Sequence, residues 1–248
     1  MSDNIVMGVD IGGTGIKGAP VDIVKGVLVG ERFRILTPQP ATPKAVADVV
    51  GEVVEHFAWK GPVGATFPAV VKDGFTLSAA NVDKEWIGAN ADELFTQRLD
   101  MPVTVLNDAD AAGLAEMAFG AGKGRNGIVI MVTLGTGIGS GMFLDGKLVA
   151  NSELGHIEIN GKDAEKRAAD SVRVRKEMSW KDYAKRVEEY IRKLDALLWP
   201  DLVIIGGGAS KKGEKFLPLI DVRPEVVAAT LQNEAGIVGA ALAAADAR

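Results

Sequence analysis

Near its start the chain reads VDIGGTG (residues 9–15), and in its second half it reads VTLGTG (residues 132–137). Each stretch is an apolar run that ends in a glycine cluster with a threonine, which predicts a strand, a tight turn and a second strand. We therefore expect a duplicated α/β fold. Its two related halves, each opening with such a hairpin, would face each other across a cleft.

Hydrophobic spacing and turn signals place the remaining elements outward from these turns. Three prolines between Thr37 and Pro43 predict a loop. Asp145-Gly146 is a favoured hairpin turn, and Ser179 with Asp182 is a helix-capping pair. The sequence predicts strands at 5–9, 19–24, 26–36, 63–67, 103–106, 127–134, 140–144 and 202–205, and helices at 44–57, 91–99, 108–119, from 180 onward and at 235–245.

The composition limits the class of protein. A chain of 248 residues with 47% hydrophobic and 25% charged residues can bury an aliphatic core. The formal net charge of −5 argues against a protein built as a whole to bind a polyanion, so we expect no nucleic-acid partner. The absence of cysteine excludes disulfides and thiolate metal sites. With no apolar run near roughly 18 residues and no basic signal region, we expect a soluble cytoplasmic protein that does not contact membranes.

The two glycine turns are candidate phosphate sites. Backbone N–H groups of glycine can approach a phosphate closely, threonine hydroxyls add donors, and Asp10 can hold a hydrated Mg²⁺ nearby. Purely structural hairpin glycines are the alternative, which the repetition of the turn disfavours. Residues 13–18 match the dinucleotide pattern GxGxxG, but that pattern requires a helix next and here a strand follows. The candidate phosphate-binding residues are Asp10, Gly12, Gly13, Thr14, Lys17, Gly135, Thr136 and Gly137.

Polar residues at further places are candidates for chemistry on a hydroxyl. Asn107 and Asp108 stand where a strand ends and a helix begins, so Asp108 can accept a proton from an attacking hydroxyl that Asn107 fixes. Helix N-capping explains the pair equally well. Glu153 and His156 offer polar groups suited to sugar hydroxyls, and Asn81 is another hydrogen-bonding candidate in a loop.

Taken together, these motifs resemble those of the ROK family of sugar kinases, within the actin/hexokinase-like superfamily. The matching segments follow the family order and span nearly the whole chain. They are DIGGT (10–14), NDA (107–109), LGTGIG (134–139), ELGH (153–156) and IGGG (205–208). The resemblance implies an α/β, two-domain fold of duplicated ribonuclease H-like halves with a cleft between the domains.

The resemblance also implies roles for particular residues. Asp108 would be the catalytic base, and both glycine turns would bind phosphate. We expect a small α/β domain of residues 1–106 plus 234–248 and a large α/β domain of residues 107–233. The last helix of the chain would cross back to the small domain. The sugar-binding residues would be Asn81, Asn107, Asp108, Glu153 and His156, and the nucleotide contacts would be Gly206, Gly207 and Gly208.

One departure from the family is informative. Most members follow the Glu-x-Gly-His segment with a cysteine-rich zinc site that ends in a sugar-binding glutamate. Here residues 157–170 contain no cysteine, so we expect no zinc, and Glu165 is the candidate for that glutamate. This zinc-less pattern, with TPQP (37–40), FPAVV (67–71) and ANVD (80–83), resembles the polyphosphate glucokinases within the family.

That branch implies phosphoryl transfer from inorganic polyphosphate, ATP or both to the 6-hydroxyl of glucose. Mg²⁺ is the implied metal, mannose a further acceptor, and a homodimer the expected assembly. An ATP-only hexokinase acting on mannose, fructose or an amino sugar stays an open alternative. A sugar-sensing repressor of the same family is disfavoured, because only four residues precede Ile5 and a helix-turn-helix does not fit there.

A local excess of positive charge fits a polyphosphate donor. Residues 162–186 carry nine Lys or Arg and five Asp or Glu, a balance of +4. Such a stretch can attract and steer a long polyanion, although a solvated helix face is the alternative. The candidate polyphosphate-binding residues are Lys162, Lys166, Arg167, Arg173 and Arg175.

Overall fold

The structure, a computed structural model, describes residues 4–79 and 82–247. Its chain divides into two compact units. Unit 1 comprises Met1–Ala115 and Glu234–Arg248, and unit 2 comprises Glu116–Asn233. Among the described residues, no helix is both long and apolar enough to cross a bilayer.

Unit 1 is built on a mixed β-sheet. Its elements before the crossover are β1 (Ile5–Gly12), β2 (Gly15–Asp22), β3 (Val27–Leu28), β4 (Phe33–Ile35), α1 (Pro43–His56), β5 (Val63–Phe67), β6 (Val71–Lys72), β7 (Phe75–Thr76), a 3₁₀ helix (Lys84–Trp86), α2 (Ala91–Leu99), β8 (Val103–Asn107) and the start of α3 (Asp108–Phe119). The main sheet has the order β3-β2-β1-β5-β8, and β4 also pairs with β2. Strands β1 and β2 form an antiparallel hairpin, whereas β1, β5 and β8 run parallel.

Unit 2 repeats this arrangement. Its elements are β9 (Ile128–Leu134), β10 (Ile138–Leu144), β11 (Lys147–Val149), β12 (Glu158–Ile159), β13 (Lys162–Asp163), α4 (Glu165–Ala168), α5 (Asp170–Arg175), α6 (Trp180–Leu198), β14 (Leu202–Gly206) and β15 (Glu225–Ala228), with 3₁₀ helices at Leu154–His156, Gly208–Lys215, Leu217–Leu219 and Gln232–Glu234. The main sheet has the order β11-β10-β9-β14-β15. The hairpin β9-β10 is antiparallel and β14 runs parallel to β9, so the predicted duplication is confirmed.

The last helix, α7 (Ala235–Asp246), returns to unit 1 and packs on its sheet. This face of the sheet carries glycine because the helix backbone comes very close. A Cβ on Gly8 would lie 2.0 Å from the carbonyl oxygen of Ile237, and one on Gly64 would lie 1.8 Å from that of Ala240. Gly18 points to the other face, where its Cβ would meet Val53 of α1. The two faces of the sheet are therefore covered by different helices.

Helix α3 explains where the chain divides. Its residue Ala111 packs so closely on α7 that a Cβ on Gly239 would lie 1.8 Å from the Ala111 carbonyl oxygen. One turn later, Glu116 accepts hydrogen bonds from the backbone N–H of Ala121 and Leu231, which belong to unit 2. The two compact units therefore meet within α3, between Ala115 and Glu116.

Local signals located most elements correctly. The Asp145-Gly146 turn has positive φ at both residues, 49° and 79°, which is the predicted hairpin type. The hydroxyl of Ser179 accepts from the Asp182 N–H at 3.1 Å, so the predicted cap is confirmed. The predicted strand at 26–36 was wrong in extent: β3 and β4 are separate short strands, and Gly30 between them has φ of 91°.

Candidate active site

The first glycine turn joins β1 to β2, and charged side chains lie in register beside it. Asp10 of β1 pairs with Lys17 of β2, and Lys17 pairs with Arg34 of β4. The ammonium of Lys17 lies 2.9 Å from Oδ2 of Asp10, and both side chains are about one-fifth exposed. The hydroxyl of Thr66 donates to Oδ1 of Asp10 at 2.8 Å and accepts from the Ile11 N–H at 3.1 Å. These contacts fix the Asp10 carboxylate at the strand end.

Arg34 is a residue of this turn that the sequence motifs did not reveal. Its Nη2 donates to the carbonyl oxygen of Thr14 at 2.9 Å. Its guanidinium also covers Gly15, since a Cβ there would come within 2.3 Å of Nε. Arg34 and Thr14 are exposed, so a cation and a hydroxyl border the turn together. Only the pairing of β4 with β2 places Arg34 here, and nothing in its local sequence indicates that pairing.

The fit of Mg²⁺ to Asp10 follows from the donor set. A carboxylate oxygen is a ligand that Mg²⁺ accepts, while waters and substrate phosphates usually supply the rest of its octahedron. The ammonium of Lys17, 2.9 Å from Oδ2 of Asp10, partly neutralises this carboxylate and so weakens its hold on a cation. Asp10 therefore suits a hydrated ion that is held mainly by the phosphates of a donor.

The second glycine turn joins β9 to β10 and is held by the start of α5. The N–H of Ser171 donates to the carbonyl oxygen of Gly135 at 3.0 Å, and its hydroxyl donates to that of Thr136 at 2.6 Å. The N–H of Gly135 donates across the turn to the carbonyl oxygen of Gly137 at 3.0 Å. Thr136 is exposed, so its hydroxyl is available on a rigid turn.

The segment Gly206–Gly208 lies against the end of β9, next to this turn. Gly207 has φ of 75°, and a Cβ on it would lie 2.6 Å from the carbonyl oxygen of Leu134. Only glycine fits such a close backbone approach. The structure thus brings the predicted nucleotide-contact glycines and the second glycine turn together within unit 2.

Three predicted sugar-binding side chains also meet in unit 2. Glu153 Oε2 lies 3.7 Å from Nε2 of His156, which ends a 3₁₀ helix. Burial raises the pKa of Glu153 above its ordinary value of 4.5, nearby His156 lowers that pKa, and the charge of Glu165 raises it. Glu165 lies against the second turn, because a Cβ on Gly137 would be 2.5 Å from its Oε2. The three groups therefore share one electrostatic environment beside the second glycine turn.

A possible metal-ligand set lies in the same place. His156, Asp163 and Glu165 each offer one ligand atom, and these atoms lie within 4.8 Å of one another. The ammonium of Lys166 sits 2.8 Å from Oδ2 of Asp163 and competes with a cation there. The expectation of no zinc is based on the absence of cysteine. Because this cluster offers nitrogen and oxygen ligands instead, metal analysis of the purified protein is the direct test of that expectation.

The pair Asn107 and Asp108 has distinct positions at the start of α3. Oδ1 of Asn107 accepts from the N–H of Ala109 at 2.8 Å and of Asp110 at 3.1 Å, and its Nδ2 donates to the carbonyl oxygen of Ala69 at 3.0 Å. Asn107 is therefore the helix cap. Asp108 is the first residue of the helix and is partly exposed, so its carboxylate does not serve as the cap.

The other predicted residues differ in placement. Asn81 lies outside the described residues. Lys162, Lys166 and Arg167 line a surface groove of unit 2, whereas Arg173 and Arg175 do not line it. The guanidinium of Arg173 is paired with Asp170 at 2.7 Å and stacks on the ring of Trp180 at 4.1 Å, which leaves the side chain one-fifth exposed.

Comparison with known proteins adds to this geometry. The model of the ROK family matches residues 6–169. The chain belongs to the ROK family. It is 52% identical to polyphosphate glucokinase of Mycobacterium tuberculosis over 95% of this chain and 89% of that protein.

Solved ROK structures match the fold as well. The crystal structure of an inorganic polyphosphate/ATP-glucomannokinase from Arthrobacter sp. strain KM is 50% identical, with a TM-score of 0.95 over 98% of this chain and 99% of that one. A ROK family glucokinase from Streptomyces griseus, in complex with glucose and AMPPNP, is 27% identical, with a TM-score of 0.83 over 98% and 99% of the two chains. The predicted two-domain, actin-like α/β fold of ROK sugar kinases is confirmed.

Proposed function

We propose that this ROK protein transfers a phosphoryl group from inorganic polyphosphate, and also from ATP, to the 6-hydroxyl of glucose. The observation that carries the proposal is the meeting of Glu153, His156 and Glu165 beside the second glycine turn. This arrangement occurs in a chain about half identical to a polyphosphate glucokinase and to a polyphosphate/ATP-glucomannokinase.

In the proposed reaction, Asp108 is the general base. The glucose 6-oxygen attacks the terminal phosphorus of the donor, and the bond from that phosphorus to the bridging oxygen breaks. The hydroxyl proton passes to the Asp108 carboxylate, and the shortened polyphosphate, or ADP, leaves with the bridging oxygen. Asn107 holds the first turn of α3 through its two backbone contacts, which keeps the neighbouring Asp108 in position.

The glycine turns and their neighbours stabilise the phosphate charge. Backbone N–H groups and the hydroxyls of Thr14 and Thr136 donate to phosphoryl oxygens, and Lys17 and Arg34 place positive charge beside the first turn. Fixed donors of this kind supply much of the catalysis in phosphoryl transfer. Mg²⁺, held near Asp10, would neutralise charge on the donor phosphates when bound. Gly206, Gly207 and Gly208 contact the nucleotide when ATP is the donor.

Sugar recognition falls to the remaining polar groups. Glu153, His156 and Glu165 bind hydroxyls of the sugar, together with Asn107 and Asn81. The carboxylates accept from hydroxyls and the imidazole donates or accepts. Likeness to a glucomannokinase supports mannose as a second acceptor. We also propose that the protein is a cytoplasmic homodimer. Within each subunit, residues 1–106 with 234–248 form one functional domain and residues 107–233 form the other.

A donor-by-acceptor assay tests this function. ATP and long-chain polyphosphate are each offered with glucose, mannose and fructose in the presence of Mg²⁺. The proposal expects both donors to phosphorylate glucose. An ATP-only sugar kinase, which the likeness to a glucokinase bound to AMPPNP favours as the second candidate, would give activity with ATP and none with polyphosphate.

A further inference from the structure

A groove on the surface of unit 2 gathers positive charge from several elements. It has a volume of about 440 Å³ and opens between the β13–α4 segment, the end of α5 and the start of α6. Five cations and two carboxylates line it, a formal balance of +3, in a chain whose net charge is −5. The lining residues of this basic groove are Lys162, Lys166, Arg167, Lys176, Glu177, Met178, Ser179, Asp182 and Arg186.

The cations of the basic groove are neutralised unequally. Lys166 pairs with Asp163 at 2.8 Å, and Arg167 pairs with Glu189 at 2.7 Å. Within the described part of the chain, neither Lys162 nor Lys176 makes an ion pair. Both are exposed on the wall of a concave surface. Cations held together in a concavity raise the local concentration of anions.

The basic groove is joined to the second glycine turn by a short stretch of chain. Glu165 packs on Gly137 of that turn, and the next two residues of α4 already line the groove. Ser171 binds the turn through two hydrogen bonds, and Lys176, directly after α5, lines the groove. Helix α5 has six residues, so it spans about 9 Å at 1.5 Å per residue. A linear polyanion can therefore reach from the turn into the groove.

We propose that the basic groove binds the unreacted length of a polyphosphate chain whose terminal phosphate lies at the second glycine turn. This inference rests on the proposed function and adds the surface that selects a long donor over ATP. The lining favours polyphosphate over a nucleic acid, because none of its residues is aromatic. Proteins that bind single strands generally stack bases on aromatic side chains.

The test compares two variants with the same change in net charge. The groove variant is Lys162→Glu with Lys176→Glu, and the control is Lys147→Glu with Lys193→Glu. All four lysines are exposed, and both control positions lie outside the groove lining. Direct binding of long-chain polyphosphate and of tripolyphosphate is measured at low and high salt, and circular dichroism checks folding.

In the groove variant, Kd for long-chain polyphosphate should rise at least about tenfold at low salt, because two attractive contacts become repulsive. Kd for tripolyphosphate and KM for ATP should stay within about twofold, and added salt should shrink the difference. The control should bind like the parent protein. Equal losses in both variants, no loss in either, or no polyphosphate binding by the parent protein would overturn the groove assignment.

Two further measurements distinguish a polyphosphate site from a nucleic-acid site, and the groove assignment from the proposed function. Single-stranded RNA of matched charge should bind more weakly than polyphosphate; equally tight, groove-dependent RNA binding would contradict a polyphosphate site. Transfer from polyphosphate to glucose is assayed on the same preparations. If polyphosphate binding depends on the groove but no phosphoryl group is transferred to glucose, the proposed function is wrong and the assignment of the groove as a polyphosphate site holds. If phosphoryl transfer occurs but polyphosphate binding is unchanged in the groove variant, only the groove assignment is wrong.

Discussion

Replacing Asp108 by Asn distinguishes two possible roles of this carboxylate: a general base in catalysis, or a residue that only stabilises the start of helix α3. Loss of a general base lowers the rate by roughly 10²–10⁴-fold, which is about 2.7–5.4 kcal/mol at 1.36 kcal/mol per tenfold. Stability should change far less. The cap of α3 is the Asn107 side chain, which accepts from two backbone N–H groups and is retained in the variant. The favourable interaction of a first-turn carboxylate with the helix, which the variant loses, contributes about 0.3–1 kcal/mol.

The assay measures kcat, the KM for glucose and the unfolding temperature of the variant. We expect kcat to fall by at least about a hundredfold while KM for glucose changes by less than about threefold. Glu93→Gln is the matched control, because it removes a carboxylate from the first turn of α2 in the same unit and should leave kcat unaltered. A kcat within about threefold of the parent value would refute Asp108 as the base and leave it a helix-terminal residue.

Three other predictions follow from the site. Arg34→Ala should raise KM for ATP and polyphosphate alike, because its guanidinium borders the first glycine turn; a change for one donor only would contradict that role. Burial raises the pKa of Glu153, so the folded state favours its neutral form, and wild type should lose stability relative to Glu153→Gln as pH rises from the ordinary glutamate value of 4.5 toward neutrality. A flat difference in unfolding temperature would oppose this. Chelation of divalent ions should stop turnover and Mg²⁺ should restore it, without stoichiometric zinc in the purified protein; zinc at one equivalent would instead assign it to His156, Asp163 and Glu165.

Elements with strong local signals could be predicted from the sequence. Strand β5 at residues 63–67, α2 at 91–99 and α3 at 108–119 have the predicted bounds, because apolar period and flanking turn residues mark their ends. The two glycine turns were recognisable for the same reason. The short helices α4 and α5 were missed, since four and six residues are too few to show a helical period.

Site features that depend on long-range pairing could not be predicted. Arg34 reaches the first turn only through the register of β4 against β2. Lys176 lines the same groove as Lys162 only because of the way the residues between them fold. The sequence allowed Asn107 to be a helix cap or a residue that fixes a hydroxyl. The hydrogen-bond partners of its side chain show that it caps α3. Arg173 belongs to the basic segment of the sequence, yet its guanidinium is held by Asp170 and Trp180.

Phosphorylation of glucose by long-chain polyphosphate, in an ATP-free reaction with Mg²⁺, tests the proposed function most directly. The wild-type protein should form glucose 6-phosphate, and the Asp108→Asn protein should form it at least about a hundredfold more slowly. ATP is tested in parallel as donor. Turnover with ATP and none with polyphosphate of any chain length would contradict the proposed transfer from polyphosphate to glucose.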